Sequence, residues 1–114
     1  MYFTDKELRC PCCGVLKMNV DLKRLLNAAR GIANIPFVVT SGYRCSKHNK
    51  DVGGSVNSSH LKGLAVDISC TDSYSRMKIV NALLTVGFNR VGIGDDFVHA
   101  DVDKDKQENV LWTY

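Results

Sequence analysis

Apolar residues recur at helical spacing at Leu22, Leu25, Leu26, Ala29, Ile32 and Ala33, which predicts a core-packing helix over residues 20–33. Asn19 or Asp21 can cap its start, and Pro36 stops it. A second helix is predicted over 73–86, capped by Ser73, with Tyr74, Met77, Val80, Leu83 and Leu84 as its core face and Gly87 as its stop. Thr4 followed three residues later by Glu7 is a capping-box signal, so a short helix is expected over 4–9. Elsewhere the period falls to two. Residues 64–69 send Leu64, Val66 and Ile68 to one face and Ala65, Asp67 and Ser69 to the other, and residues 97–102 set Phe97, His99 and Asp101 against Val98, Ala100 and Val102. Further strands are expected at 37–40 and 88–93, with Gly94-Asp95-Asp96 as a hairpin turn and 110–114 as an edge strand or a cover for a cleft rim. Residues 45–59 are polar and without period, and read as a long functional loop. Together these elements predict an α+β fold, a small antiparallel sheet backed by two helices with a site on its open face.

A chain of 114 residues buries roughly two thirds of its unfolded surface in one core, so a single domain over 1–114 and a single site are expected. The net charge of +3 and pI of about 8.6 come with no dense lysine and arginine run, which argues against nucleic acid and remains compatible with a polyanionic surface such as a cell wall. The N-terminus carries no basic and apolar leader pattern, and no apolar stretch approaches a membrane span. The expectation is a protein made in the cytosol, without membrane insertion and monomeric. Five cysteines, an odd number, argue against a secreted disulfide framework. Reduced thiols are the default. Cys10, Cys12 and Cys13 are nevertheless dense enough to suggest a structural metal site or a disulfide, with Cys45 or Cys70 as distant partners, although the spacing is not that of a standard zinc ribbon.

The chemistry concentrates around residues 58–67. Asp67 points away from the core on its strand, small Ala65 and Gly63 leave room beside it, and His60 is close enough to fold back over that space. His99 on the second alternating segment is the candidate third partner. Two imidazoles and a carboxylate suit zinc with one coordination position left open. A zinc hydrolase also needs a carboxylate to take the proton from the attacking water, for which Asp95 and Asp96 are candidates. In a flat strand Asp96 would face away from His99, so it can serve only if the turn re-aims it. Both aspartates could instead simply solvate the turn. Arg44, at the exit of the 37–40 strand, can present its fork to a substrate carboxylate or carbonyl, against the plain alternative of a surface arginine. His48, among lysines and an asparagine, reads as a solvated histidine.

Ser41-Gly42-Tyr43-Arg44, Asn49, Val52-Gly53-Gly54, the series Ser58, His60, Gly63, Ala65 and Asp67, then Gly87-Phe88, Val91-Gly92-Ile93-Gly94, the series Asp96, His99 and Asp101, and Trp112 resemble, in order and spacing, one family. It comprises the zinc D-alanyl-D-alanine carboxypeptidases and phage L-alanyl-D-glutamate endopeptidases that share a fold with the hedgehog signalling domain. The resemblance implies that His60, Asp67 and His99 are zinc ligands, that Asp96 is the acid/base, and that Arg44 stabilises the oxyanion or orients substrate. Ser58 and Asp101 would orient the ligands. Many relatives carry Glu where this chain has Asp96, and the resemblance assigns the cysteines no role. The implied substrate is the peptidoglycan stem peptide, cut by an endolysin-type enzyme that reaches the wall through a phage pore. The alternatives are a D-alanyl-D-alanine carboxypeptidase, a non-catalytic zinc-containing wall-binding module, and a thiol-based metal or redox protein built on the N-terminal cysteines.

Overall fold

The computed structural model describes residues 2–114. Its order is α1 (Asp5–Leu8), α2 (Val20–Ala33), β1 (Val39–Ser41), α3 (Ser46–Asp51), a 3-10 turn (Ser59–Lys62), β2 (Ala65–Ser69), α4 (Ser73–Val86), β3 (Arg90–Ile93), β4 (Phe97–Asp101) and β5 (Val110–Thr113). The strands form one sheet in the order β1-β2-β4-β3-β5. All pairings are antiparallel except β3 with β5, so the sheet is mixed rather than antiparallel throughout. The cause is the segment 102–109, which carries the chain from the end of β4 across the start of β3 and lays β5 on the far side of β3 in the same direction.

Period two on the strands and period 3.6 on the helices meet in one core. Val66, Ile68, Val91, Val98 and Ala100 on the sheet pack against Leu22, Leu26, Ala29 and Ala33 of α2 and Ile79, Ala82 and Leu83 of α4. Asn19 is the cap of α2, its Oδ1 accepting the Leu22 N–H at 3.0 Å. The helix ends at Asn34 in the left-handed conformation (φ 55°), before Pro36 is reached. Thr4 and Glu7 bracket α1 as expected, with Glu7 Oε1 accepting the Thr4 N–H at 3.2 Å.

Further expectations need correction. The cap of α4 is Asp72, whose carboxylate accepts the Ser75 N–H at 2.8 Å, and not Ser73. The core face of that helix is Ile79, Ala82 and Leu83, while Tyr74, Met77 and Leu84 are exposed. Apolar residues at 74, 77, 79, 80, 82, 83, 84 and 86 encircle α4, so periodicity alone could not single out the buried side. Strand β1 starts at Val39, because Phe37 turns into the core instead of the ladder; likewise Phe88 is core and β3 starts at Arg90. Finally, the segment 45–59 contains α3, started by Cys45 Sγ accepting the His48 N–H at 3.4 Å and stitched by an exposed Lys47–Asp51 pair.

The room expected beside Gly63 is filled by the chain itself. Gly63 has φ +70°, and a Cβ there would lie 2.1 Å from the Lys17 carbonyl oxygen. Its own carbonyl accepts the Asn19 N–H at 2.9 Å, which ties the start of α2 to the base of β2.

The revised face of α4 is open to test by urea denaturation. Ile79→Ala should cost about 2–4 kcal/mol, as for other buried aliphatic truncations, whereas Met77→Ala should stay within about 0.5 kcal/mol of wild type. The reverse ranking would restore the face expected from sequence.

Candidate metal centre

The strand register assembles the site in two rows on the sheet face opposite the helices. In one row Asp67 pairs with His99, which pairs with Gly92, which pairs with Trp112. In the next, Ala65 pairs with Asp101 and Asp101 with Arg90. Only alternate residues face this way, so the spacing of His99 and Asp101 puts both on the same surface. Gly92 is required in the first row, since a Cβ there would meet the Trp112 indole at 2.6 Å. That indole stands beside His99, ring centroids 5.5 Å apart.

His60 comes from the 3-10 turn, whose cap is Ser58 Oγ, accepting the His60 N–H at 3.2 Å. The turn delivers a buried imidazole over Asp67, with the His60 Nε2 3.3 Å from Asp67 Oδ1. His99 Nδ1 is 2.9 Å from the same oxygen. One donor atom from each of the three residues therefore falls within 4.8 Å of the other two.

The far side of each ring settles which atom is offered. His60 Nδ1 lies 2.8 Å from the Gly42 carbonyl oxygen, which only accepts, so Nδ1 carries the hydrogen and Nε2 presents a lone pair. His99 Nε2 lies 2.7 Å from Asp101 Oδ2, so it too is the donating side and Nδ1 faces the cluster. Two imidazole nitrogens and a carboxylate oxygen thus converge on one point, an arrangement that calls for a cation. A proton can supply part of it: burial lowers the His99 pKa, but its bonds to Asp101 and Asp67 outweigh this and raise it above the usual imidazole value. Burial likewise raises the Asp67 pKa, and the hydrogen bonds to His60 and His99 more than reverse that, holding the carboxyl far below its usual range. A zinc ion fits the donor set better. Ligands on a tetrahedron with bonds of about 2.0–2.1 Å stand about 3.3 Å apart, close to the separations found here.

A layer of partners holds these groups. Asp101 Oδ1 takes the Arg90 Nε hydrogen at 2.7 Å and the Asp103 N–H at 3.1 Å. Arg90 also donates to the Gln107 carbonyl and lies 5.0 Å from the Trp112 ring centroid. Arg44 is committed through three of its N–H groups, to Ser41 Oγ at 2.8 Å, Asn49 Oδ1 at 3.2 Å and Asp67 Oδ2 at 3.3 Å. A bulge between Val39 and Ser41 brings Ser41 opposite Asp67 and turns the following residues towards it. Asp103 is buried, which raises its pKa, yet bonds from Ser59 at 2.8 Å and Lys62 at 3.0 Å prevail and keep it lowered.

The cleft over these residues has a volume of about 340 Å³ and is walled by Gly53-Gly54, Phe97, Lys106, Trp112 and Tyr114. A larger hollow of about 600 Å³ lies between the start of α2 and the segment 102–108, but its lining contains neither histidine nor cysteine. Size does not locate the chemistry here.

Of the residues singled out from sequence, His60, Asp67, His99, Arg44, Ser58 and Asp101 are brought together. Asp96 and Asp95 are not. Both are exposed in the β3–β4 turn, and neither lines the cleft. Among the described residues the Asp96 carboxylate makes no hydrogen bond, while its carbonyl accepts the Cys70 N–H at 2.9 Å. His48 is half-buried on α3. Sequence reasoning quoted Asn49 only as part of the family pattern, without a role, and missed Ser59, Arg90, Asp103 and Lys106 as parts of this network. The place of Asn49 in that pattern and an arginine opening a strand were the available signals, and neither is specific.

The comparison with known families agrees with this geometry. No curated protein matches the chain closely enough to count as a relative. The family model for Peptidase M15 does match, over residues 1–101, a span that takes in α1 through β4 and every residue of the His60, Asp67, His99 cluster. The chain therefore belongs to the M15 peptidase family and is a zinc metallopeptidase.

Proposed function

We propose that this protein hydrolyses an amide bond in the stem peptide of bacterial peptidoglycan, as an endolysin-type L-alanyl-D-glutamate endopeptidase. The observation that supports the reading most is the convergence of His60 Nε2, His99 Nδ1 and Asp67 Oδ1 at the floor of an open cleft. These three atoms would hold the zinc, which when bound polarises the scissile carbonyl and makes water a usable nucleophile near neutral pH. Gly42 and Asp101 fix the ring hydrogens on the outer nitrogens, so both inner lone pairs are available. Arg44 offsets the charge of Asp67 with one donor and, having five N–H groups of which three are engaged, keeps two for the developing negative charge on substrate.

Asp96 is the proton carrier in this reading. It precedes Phe97, which lines the cleft, and its uncommitted carboxylate would have to turn inward by a change of side-chain rotamer and turn geometry. It would take a proton from the attacking water and return it to the leaving amine. The exposed turn residue is then organised only when substrate fills the cleft, as acid/base contacts often are.

An endopeptidase is favoured over a carboxypeptidase by the state of the cleft cations. Arg44 is paired with Asp67 and Arg90 with Asp101, while Lys106 Nζ lies 3.0 Å from Ser59 Oγ and 3.9 Å from the Asp103 carboxylate, so among the described residues each lining cation already serves a group of the site and none is a dedicated receptor for a terminal carboxylate. Among the described residues no helix is long and apolar enough to cross a membrane. Access to the wall through a phage pore belongs to the same proposal, as does action as a monomer.

Incubation with purified peptidoglycan, followed by mass spectrometry of the muropeptides, should show new amino groups at alanine–glutamate junctions. A chelator should abolish them and added zinc restore them. Loss of terminal D-alanine instead would assign the carboxypeptidase, and binding without products would assign a wall-binding module. Asp96→Ala should lower kcat by about 10²–10⁴-fold with zinc content unchanged, while Asp95→Ala stays close to wild type; equal activity of Asp96→Ala and wild type would remove Asp96 from the mechanism. Asp101→Asn should weaken zinc affinity by about 10–100-fold in a competition titration with a chromophoric chelator, an effect that loss of a purely structural hydrogen bond would not produce.

A further inference from the structure

The cysteines not used by the hydrolytic centre form a second constellation. In Cys10-Pro11-Cys12-Cys13-Gly14 the chain doubles back tightly: the Gly14 N–H donates to the Cys10 carbonyl at 2.8 Å and the Cys10 N–H to the Val15 carbonyl at 2.9 Å, with Gly14 left-handed at φ +75°. This turn puts the thiols of Cys10 and Cys13 on one side. Cys45, distant in sequence, joins them, and the three sulfurs all lie within 4.8 Å of one another. Cys12, the remaining thiol of the same turn, is exposed and lies outside that group of three.

Backbone N–H groups are aimed at the sulfurs. The Cys45 N–H points at Cys10 Sγ at 3.5 Å, and the His48 N–H at Cys45 Sγ at 3.4 Å. Donors directed at sulfur favour the thiolate, which is the form that ligates metal. Thiolates are soft donors that select zinc among common divalent ions, and Zn–S bonds of about 2.3 Å in a tetrahedron set sulfurs about 3.8 Å apart. A disulfide accounts for less, since it would join two of these sulfurs and leave the others gathered for no reason. All five cysteines are free thiols in the structure, and Cys70 stands apart, its Sγ directed at the Asp72 carbonyl.

We propose that Cys10, Cys13 and Cys45, with Cys12 as fourth donor, bind a second, structural zinc ion. Its place in the fold indicates what it does. The ion would clamp the turn after α1 to the segment that follows β1, where the Tyr43 N–H already bonds the Leu8 carbonyl at 2.9 Å. That segment contributes the Gly42 carbonyl that orients His60 and the Arg44 guanidinium that holds Asp67. The thiolate site thus positions the back of the hydrolytic centre without touching substrate. The proposal stands on the cysteine geometry alone and does not depend on the substrate assigned above.

The full chain, purified under reducing conditions, can be assayed for zinc by elemental mass spectrometry and titrated with cobalt(II) by absorbance. Wild type should carry two zinc ions per chain and show a thiolate-to-cobalt charge-transfer band. His60→Ala should retain one zinc and the whole of that band, an arm that alters no cysteine and so does not depend on a cysteine variant folding. Cys13→Ser, at an exposed position, should also retain one zinc but lose most of the band. A single zinc in wild type with no charge-transfer band, or a Cys13→Ser variant matching wild type in both readouts, would overturn the site. Unchanged cobalt affinity in Cys12→Ser would overturn Cys12 as the fourth donor.

Discussion

Asp67 Oδ1 has the inner nitrogens of two imidazoles 2.9 and 3.3 Å away, and the outer nitrogens of both rings are spoken for by oxygen acceptors. Electron pairs gathered in a largely buried place repel one another and have given up their water. Their convergence is stable only around a positive charge, and the rest of the architecture can be understood as the means of forcing it. An uncompensated cluster of this kind would cost several kcal/mol, a large fraction of the stability of a small domain. The fold holds it because the groups are fixed from behind by strands whose opposite face is the hydrophobic core.

The forcing is done by elements of very different stiffness. Asp67 and His99 face each other across one antiparallel ladder, so their separation follows from strand spacing alone. His60 depends on a short 3-10 turn that is capped by Ser58, pinned by the Gly42 carbonyl, and backed by the Ser59–Asp103–Lys62 group. Arg44 depends on a bulge and on a buried asparagine in a six-residue helix. The metal-binding geometry therefore rests partly on a rigid sheet and partly on loops. The cysteine-rich turn lies directly behind the weaker, loop-borne half, where an extra clamp has most effect.

The exposed position of Asp96 fits the same division of labour. Two of the three clustered groups, Asp67 and His99, are embedded in the sheet, where displacement is costly, and His60 is held by its capped turn. In the proposed mechanism the proton carrier would sit outside that frame, in the exposed turn joining β3 to β4. Phe97, Trp112 and Tyr114 line the cleft beside the paired Arg44 and Arg90.

Local order was legible in the chain wherever a simple period governed it. The alternation at 64–69 and 97–102 placed Asp67 and His99 on the open face, and the spacing of α2 marked its boundaries and the buried Leu22, Leu26, Ala29 and Ala33, because burial on one face leaves a repeating imprint. Ile32, expected on the same face, is exposed. The imprint failed on α4, where apolar residues surround the helix, and over 45–59, where a side-chain cap and the Asn49 hydrogen bonds make a helix that carries no apolar stripe. Tertiary structure alone decided the parallel return of β5 and the choice of Cys45 over Cys70 as the partner of Cys10 and Cys13. Each is a relation between segments distant along the chain, set by loop paths and by the way sheet and helices close on one another, and such relations leave no periodic trace in the residues that take part.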